Sequence, residues 1–220
     1  MATHPVFLRL DGRRCVVVGG GPPAMAKALA CARAGAAVTL LAPALDAAGA
    51  GALAAAGVRH VPRGYAEGDL AGAVLCYAAT DDPALVARLR AEATRERVLL
   101  NVVDRPDACD FYAAAMVERG ALTIAVGSDG TSPAVTALVR RRVEESIGPE
   151  YADLAALLGA LRRALADRPD RGALLRALLD TPLLERLRVA DTAGVDRLLA
   201  ATIDESWTLA RLESELAGRR

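Results

Sequence analysis

An aspartate directly after a continuous apolar run stands where a sheet presents its ligands. Asp104 closes the segment NVVD, and the run before it reads as a core strand. Its carboxylate would therefore lie at the carboxyl end of that strand, the edge at which doubly wound sheets bind ligands. A carboxylate within hydrogen-bond reach of a substrate can take a proton from it. Asp also caps turns, and Arg105-Pro106 follows at once, so a turn cap is the alternative.

The stretch VVGGGPPA, residues 17–24, supplies a second kind of chemistry. Gly19, Gly21 and Ala24 fit G-x-G-x-x-G/A between a predicted strand and a predicted helix, the context of a dinucleotide-binding loop. Gly19 would allow the tight turn, Gly21 the approach of a pyrophosphate, and Ala24 close helix packing. The helix N-terminus offers free N–H groups to the anion. Pro22 and Pro23 each remove one such donor, and a simple strand-to-helix turn is the competing account of the loop. The second strand runs into LLAPALD, with neither an acid at its tip for a ribose 2′-hydroxyl nor an Arg there for a 2′-phosphate. The choice between NAD and NADP is thus open from the residues. Asn101 either ends its strand with a hydrogen bond or walls the nicotinamide site.

Hydroxyl groups form a third candidate. Ser128, Thr131 and Ser132 lie in SDGTSP, ahead of a helix that Pro133 opens. Their hydroxyls and the helix N–H groups suit a substrate carboxylate, while a helix cap by Thr131 or Ser132 is the alternative. Thr80, Asp81 and Asp82 precede Pro83, and TDDP is itself a good helix cap. Arg140, Arg141 and Arg142 can pair with Glu144 and Glu145, meet substrate carboxylates, or form a solvated face. His4 and His60 are the only histidines, so no histidine-based metal site is expected. Cys15, Cys31, Cys76 and Cys109 are 15 or more residues apart, which fits reduced core thiols rather than a zinc cage.

The elements that must position these groups are legible. CVVV (15–18), AVTLL (37–41), VRHV (58–61), AVLCYAA (73–79) and VLLNVV (98–103) read as short buried strands. Helices are predicted at about 24–34, 45–56 and 83–96, and the alternation implies a doubly wound parallel α/β sheet. AAAMVE and LTIAVG then read as two strands, followed by a long amphipathic helix that ends near Gly148. Two strands make no stable sheet alone, and such strands are commonly completed by a second copy, so a homodimer is expected. From Tyr151 onward the periodicity is helical, with breaks expected at Pro169, Pro182 and Gly194. The divisions are 1–112, a small α+β dimerisation region at 113–148, and a helical domain at 149–220.

Lys+Arg and Asp+Glu both number 27, so no broad basic field draws in nucleic acid or an anionic membrane. Aromatic residues make up 3%, too few for a base-stacking platform. No apolar stretch reaches the roughly 18 residues of a membrane span, and the first residues lack the pattern of a secretory leader. A soluble cytoplasmic protein is expected.

The segments VVVGGGPPAMAKALACARAGAAVTLLAP, AATDDPALV, NVVDRPDACDF and IAVGSDGTSPAVTALVRRRVEE, in order and spacing, resemble the precorrin-2 dehydrogenase and sirohydrochlorin ferrochelatase family, the amino-terminal module of siroheme synthase. With no methyltransferase module after Arg220, the resemblance is to the stand-alone form. It implies a Rossmann-like domain, a dimerisation region and a helical domain. It further implies oxidation of precorrin-2 to sirohydrochlorin with NAD⁺ and, in some members, insertion of Fe²⁺ or Co²⁺. Asp104 would be the shared base of both reactions. The glycine loop with Pro22 and Pro23 would hold NAD, Ala42 and Pro43 would line the adenosine side, and Thr80 would lie beneath the cofactor. The SDGTSP loop would meet substrate carboxylates, and Lys27 matches a family lysine. Asp129 adds a negative charge to that loop. Two other readings stay open: a non-catalytic sensor of dinucleotide or tetrapyrrole, and an oxidoreductase acting on a different modified tetrapyrrole.

Overall fold

The computed structural model describes residues 3–218. The chain divides into two compact units, one of residues 1–113 with 129–131, the other of 114–128 with 132–220. Residues 113–148 and 149–220, separated in the sequence reading, thus fall almost entirely in one unit.

The first unit is built on five parallel strands: β1 (Arg14–Val18), β2 (Ala37–Leu41), β3 (Arg59–Val61), β4 (Leu75–Ala78) and β5 (Leu99–Val102). Their order is β3-β2-β1-β4-β5. The chain moves outward from β1 in one direction and then restarts on its other side, so the switch point lies between β1 and β4. Val16, Val17 and Val18 alternate between two cores, as buried parallel strands require. On one face Val16, Val18, Leu100 and Val102 pack with Val86, Leu89 and Ala93 of α3 (Pro83–Glu96). On the other, Cys15, Val17 and Leu40 pack with Ala24, Ala28 and Cys31 of α1 (Pro22–Arg33) and Leu53 of α2 (Ala47–Ala55).

The helix boundaries follow local chemistry. Helix α1 starts two residues before the sequence estimate because Pro22 and Pro23 occupy its first two positions, where a missing N–H costs nothing. Asp46 caps α2 by accepting from Gly49 N–H at 2.6 Å. Asp82 caps α3 by accepting from Ala84 N–H at 2.9 Å. A buried acid was missed from sequence: Glu92 of α3, 1% exposed, accepts from the N–H groups of Gly68 and Leu70 at 3.0 Å and from the Tyr65 hydroxyl. These bonds tie the loop before β4 to the helix that follows it.

In the second unit β6 (Ala115–Arg119) and β7 (Leu122–Val126) form an antiparallel hairpin, and α4 (Pro133–Ser146) packs on it. Arg119 fastens the two by donating to the terminal carbonyls of α4, Ile147 O at 2.8 Å and Glu144 O at 3.0 Å. Five helices follow: α5 (Glu150–Ala164), α6 (Arg171–Leu179), α7 (Leu183–Arg188), α8 (Thr192–Thr202) and α9 (Leu209–Gly218). Leu161, Leu165, Leu178, Leu183, Leu199 and Trp207 form their core. Pro169 and Pro182 separate helices as expected, but Gly194 does not break one. It lies in the first turn of α8, where its N–H donates to the cap Asp191 at 2.8 Å; the break falls at Ala190, which has a φ of 52°. No described helix is long and apolar enough to cross a membrane.

Candidate functional site

Four candidate segments emerge at one edge of the sheet because all five strands are parallel. The glycine loop follows β1, Pro43 follows β2, Thr80 follows β4 and Asp104 follows β5.

The three glycines have different reasons to be glycine. Gly19 has a φ of 123°, and a β-carbon there would lie 2.6 Å from the carbonyl oxygen of Ala79. Gly20, which the motif leaves unspecified, is equally constrained: its β-carbon would come within 2.7 Å of Ala44 O. Gly21 has an ordinary extended backbone, with φ −80° and ψ 173°, and an added β-carbon would meet only Pro23 Cδ at 3.7 Å. The chain's own packing explains Gly19 and Gly20 but gives no reason for Gly21. The N–H groups of Gly20, Gly21 and Ala24 donate to nothing among the described residues, whereas Met25 N–H already bonds Gly21 O at 3.1 Å. Ala24 is fully buried against the sheet. These features fit a dinucleotide pyrophosphate: open space over Gly21, unpaired donors, and the positive end of α1.

Pro43 is exposed at the end of β2, but Ala42 is not part of that surface. Ala42 has no exposure, its N–H donates to Val61 O at 3.3 Å, and its carbonyl oxygen lies 2.9 Å from His60 Nε2. Neither its side chain nor its backbone is left to line a ligand site. Thr80 Oγ1 accepts from Asp82 N–H at 3.2 Å, so it helps shape the cap of α3, while Asp81 is exposed. Lys27 Nζ lies 5.5 Å from the centre of the Tyr77 ring, whose edge meets Phe111. Burial pushes the Tyr77 phenol above its usual pKa.

Asp104 is exposed, and its carboxylate makes no hydrogen bond or ion pair among the described residues. It is not a cap. The 3-10 turn Pro106–Ala108 has Arg105 at its cap position, without a side-chain bond. Asp104 instead sits third in a turn closed by Arg105 N–H on Val102 O at 3.2 Å, with a φ of 58°. Turns place Gly or Asn at such positions, and other residues held there cluster at functional sites. Asn101 makes strand-end hydrogen bonds: its amide nitrogen donates to Phe111 O at 2.8 Å and lies 3.5 Å from Cys109 Sγ. Three cysteines are buried free thiols; Cys109 is partly buried and folded into the loop that carries Asp104.

The SDGTSP loop is largely self-contained. Ser128 Oγ accepts from Ser132 N–H at 3.2 Å and from the Thr136 hydroxyl at 2.8 Å, and donates to Ser132 O at 3.2 Å, so its bonding capacity is filled. Ser132 is the helix cap, accepting from Val135 N–H at 3.3 Å, while its own hydroxyl proton stays free to donate. Thr131 is exposed, and its side chain has no partner among the described residues. Asp129, at a φ of 49°, turns its carboxylate to the N–H and hydroxyl of Thr3. Arg140 pairs with Glu144 one turn on, at 2.6 Å. No cluster of three His, Cys, Asp or Glu side chains able to hold a metal occurs among the described residues.

A family model described as NAD(P)-binding matches residues 6–115, half of the chain, and one described as sirohaem biosynthesis protein central matches residues 119–146. Among curated relatives, the siroheme synthase of Azotobacter vinelandii is 40% identical over 203 residues, covering 90% of this chain and 44% of that protein. That of Pseudomonas fluorescens is 38% identical over 218 residues, covering 97% of this chain and 47% of that protein. The chain therefore spans under half the length of these relatives. Among solved structures, one titled SirC, precorrin-2 dehydrogenase, superposes with a TM-score of 0.68 over 98% of both chains at 21% identity, a likeness of fold.

Proposed function

This chain belongs to the NAD(P)-binding family, and we propose that it oxidises precorrin-2 to sirohydrochlorin with NAD⁺. One observation carries the reading: the Asp104 carboxylate, without a partner among the described residues, stands at the same sheet edge as a glycine loop in which the N–H groups of Gly20 and Gly21 are likewise unpaired. The names of the relatives and of the structural neighbour support the tetrapyrrole as substrate.

The backbone of Gly20 and Gly21 holds the pyrophosphate, with Pro43 beside the adenosine and Thr80 beneath the nicotinamide side. When bound, NAD⁺ supplies the hydride acceptor. Asp104 takes the proton that leaves the macrocycle with that hydride, so the oxidation balances as sirohydrochlorin, NADH and one proton. Thr131, which belongs to the same unit, donates to a substrate carboxylate. Where Fe²⁺ is inserted it is a substrate held by the macrocycle's own nitrogens, and the same aspartate takes the pyrrole N–H protons.

The functional molecule is a homodimer joined through the region 113–148. Helix α4 has no buried residue, and Val135, Leu138, Val139 and Met116 are each about 40% exposed or more, more apolar surface than a lone hairpin and helix can leave to water at no cost.

The test is direct. The full chain is mixed with precorrin-2 and NAD⁺, and the absorbance of sirohydrochlorin and NADH is followed. Formation of both is expected; no NADH above a control without protein would refute the reading.

A further inference from the structure

The turn that carries Asp104 is held from behind by residues for which the proposed reaction has no use. A non-glycine residue at a φ of 58° persists only where its surroundings over-determine it. Those surroundings are specific. Cys109 Sγ accepts from Val102 N–H at 3.2 Å and lies 3.2 Å from the carbonyl oxygens of Val102 and Arg105, to which its S–H can donate. One thiol thereby spans both ends of the turn. The next residue, Asp110, is laced to β5: its N–H donates to Leu100 O at 2.7 Å and its carboxylate accepts from Leu100 N–H at 2.8 Å. From α3, Arg90 Nη1 lies 2.8 and 2.9 Å from the two carboxylate oxygens of Asp110, and Nη2 donates to Ala108 O.

The Arg90–Asp110 pair is about one-third exposed on each side, and pairs so open to solvent add little to the stability of a fold. Its value lies in geometry. Arg90 bridges a helix of the framework to two successive points on the segment that returns from Asp104, and none of these contacts uses the Asp104 carboxylate. We propose that Arg90, Cys109 and Asp110 are positioning residues, a clamp that sets where the Asp104 carboxylate stands for proton transfer. The inference rests on the reading of Asp104 as proton acceptor. A misplacement of about 1 Å in such a group costs on the order of 100-fold in rate.

Two readouts on the full chain test it: exchange of the Arg105 amide hydrogen, followed by NMR, and steady-state turnover of precorrin-2 with NAD⁺. Arg90→Ala and Asp110→Ala should each speed Arg105 exchange and lower kcat by about tenfold or more, with KM for NAD⁺ within about twofold of wild type. Arg90→Lys keeps the ion pair without the bond to Ala108 O and should recover part of the loss. Cys109→Ser should retain more activity than Cys109→Ala, which also covers the case in which an alanine variant fails to fold. Unchanged Arg105 exchange in Arg90→Ala, or faster exchange with unchanged kcat, would overturn the clamp. A wild-type chain that fails to turn over precorrin-2 refutes the functional reading alone, and the exchange rates still decide the clamp.

Discussion

A β-carbon on Gly19 would sit 2.6 Å from the carbonyl oxygen of Ala79, at a φ of 123° that side chains rarely adopt. The end of β1 is thus pressed against the backbone that follows β4, at the switch point of the sheet. Gly19→Ala should lower stability by about 2–4 kcal/mol, read as a shift of the urea midpoint, because both strain and a backbone contact oppose it.

Gly21 makes the opposite prediction. Its conformation suits any residue and its β-carbon position is open. Gly21→Ala should cost about 1 kcal/mol or less, as expected at a helix cap, yet weaken NAD⁺ binding by about tenfold, measured by calorimetry. Unchanged affinity would mean that the pyrophosphate does not approach this residue.

This contrast shows what the sequence could tell. The strand and helix alternation was legible because buried parallel strands are continuous apolar runs, and Pro83 with Asp82 announced α3 almost to the residue. The motif named Gly19 and Gly21 but not Gly20, whose constraint comes from Ala44, a residue 24 positions away that no local pattern links to it. The family resemblance put Ala42 at the site, but His60 and Val61 of the neighbouring strand occupy its backbone. The clamp behind Asp104 was hidden for the same reason. Arg90 is one of many arginines, and only the fold brings it to Asp110.

Acid should reveal the Arg63–Asp69 pair. The guanidinium of Arg63, 2.7 Å from both Asp69 oxygens, holds that carboxyl below the usual range. A depressed folded pKa gives stability that is complete above the unfolded value, about 3.9, and is lost as pH falls through the lower folded one. Urea midpoints should therefore decline below about pH 4 in wild type. Asp69→Asn should start lower at neutral pH and lose less over that acid range.

The exposed apolar residues of α4 make the dimer testable. Leu138→Glu together with Val139→Glu places two charges on that surface without touching a buried position. Sedimentation equilibrium should find wild type as a dimer and the double variant as a folded monomer. A wild-type monomer at high micromolar concentration would contradict the assignment.

The central claim is that Asp104 accepts the proton in an NAD⁺-dependent oxidation, and replacing it is the most direct measurement. Asp104→Asn keeps the size of the side chain and a residue type that tolerates positive φ. It removes no bond that the wild-type carboxylate makes among the described residues. Single-turnover oxidation of precorrin-2 should fall by a factor of about 100 or more, while the Kd for NAD⁺ and the urea midpoint stay at their wild-type values. Turnover by Asp104→Asn at the wild-type rate would contradict the account.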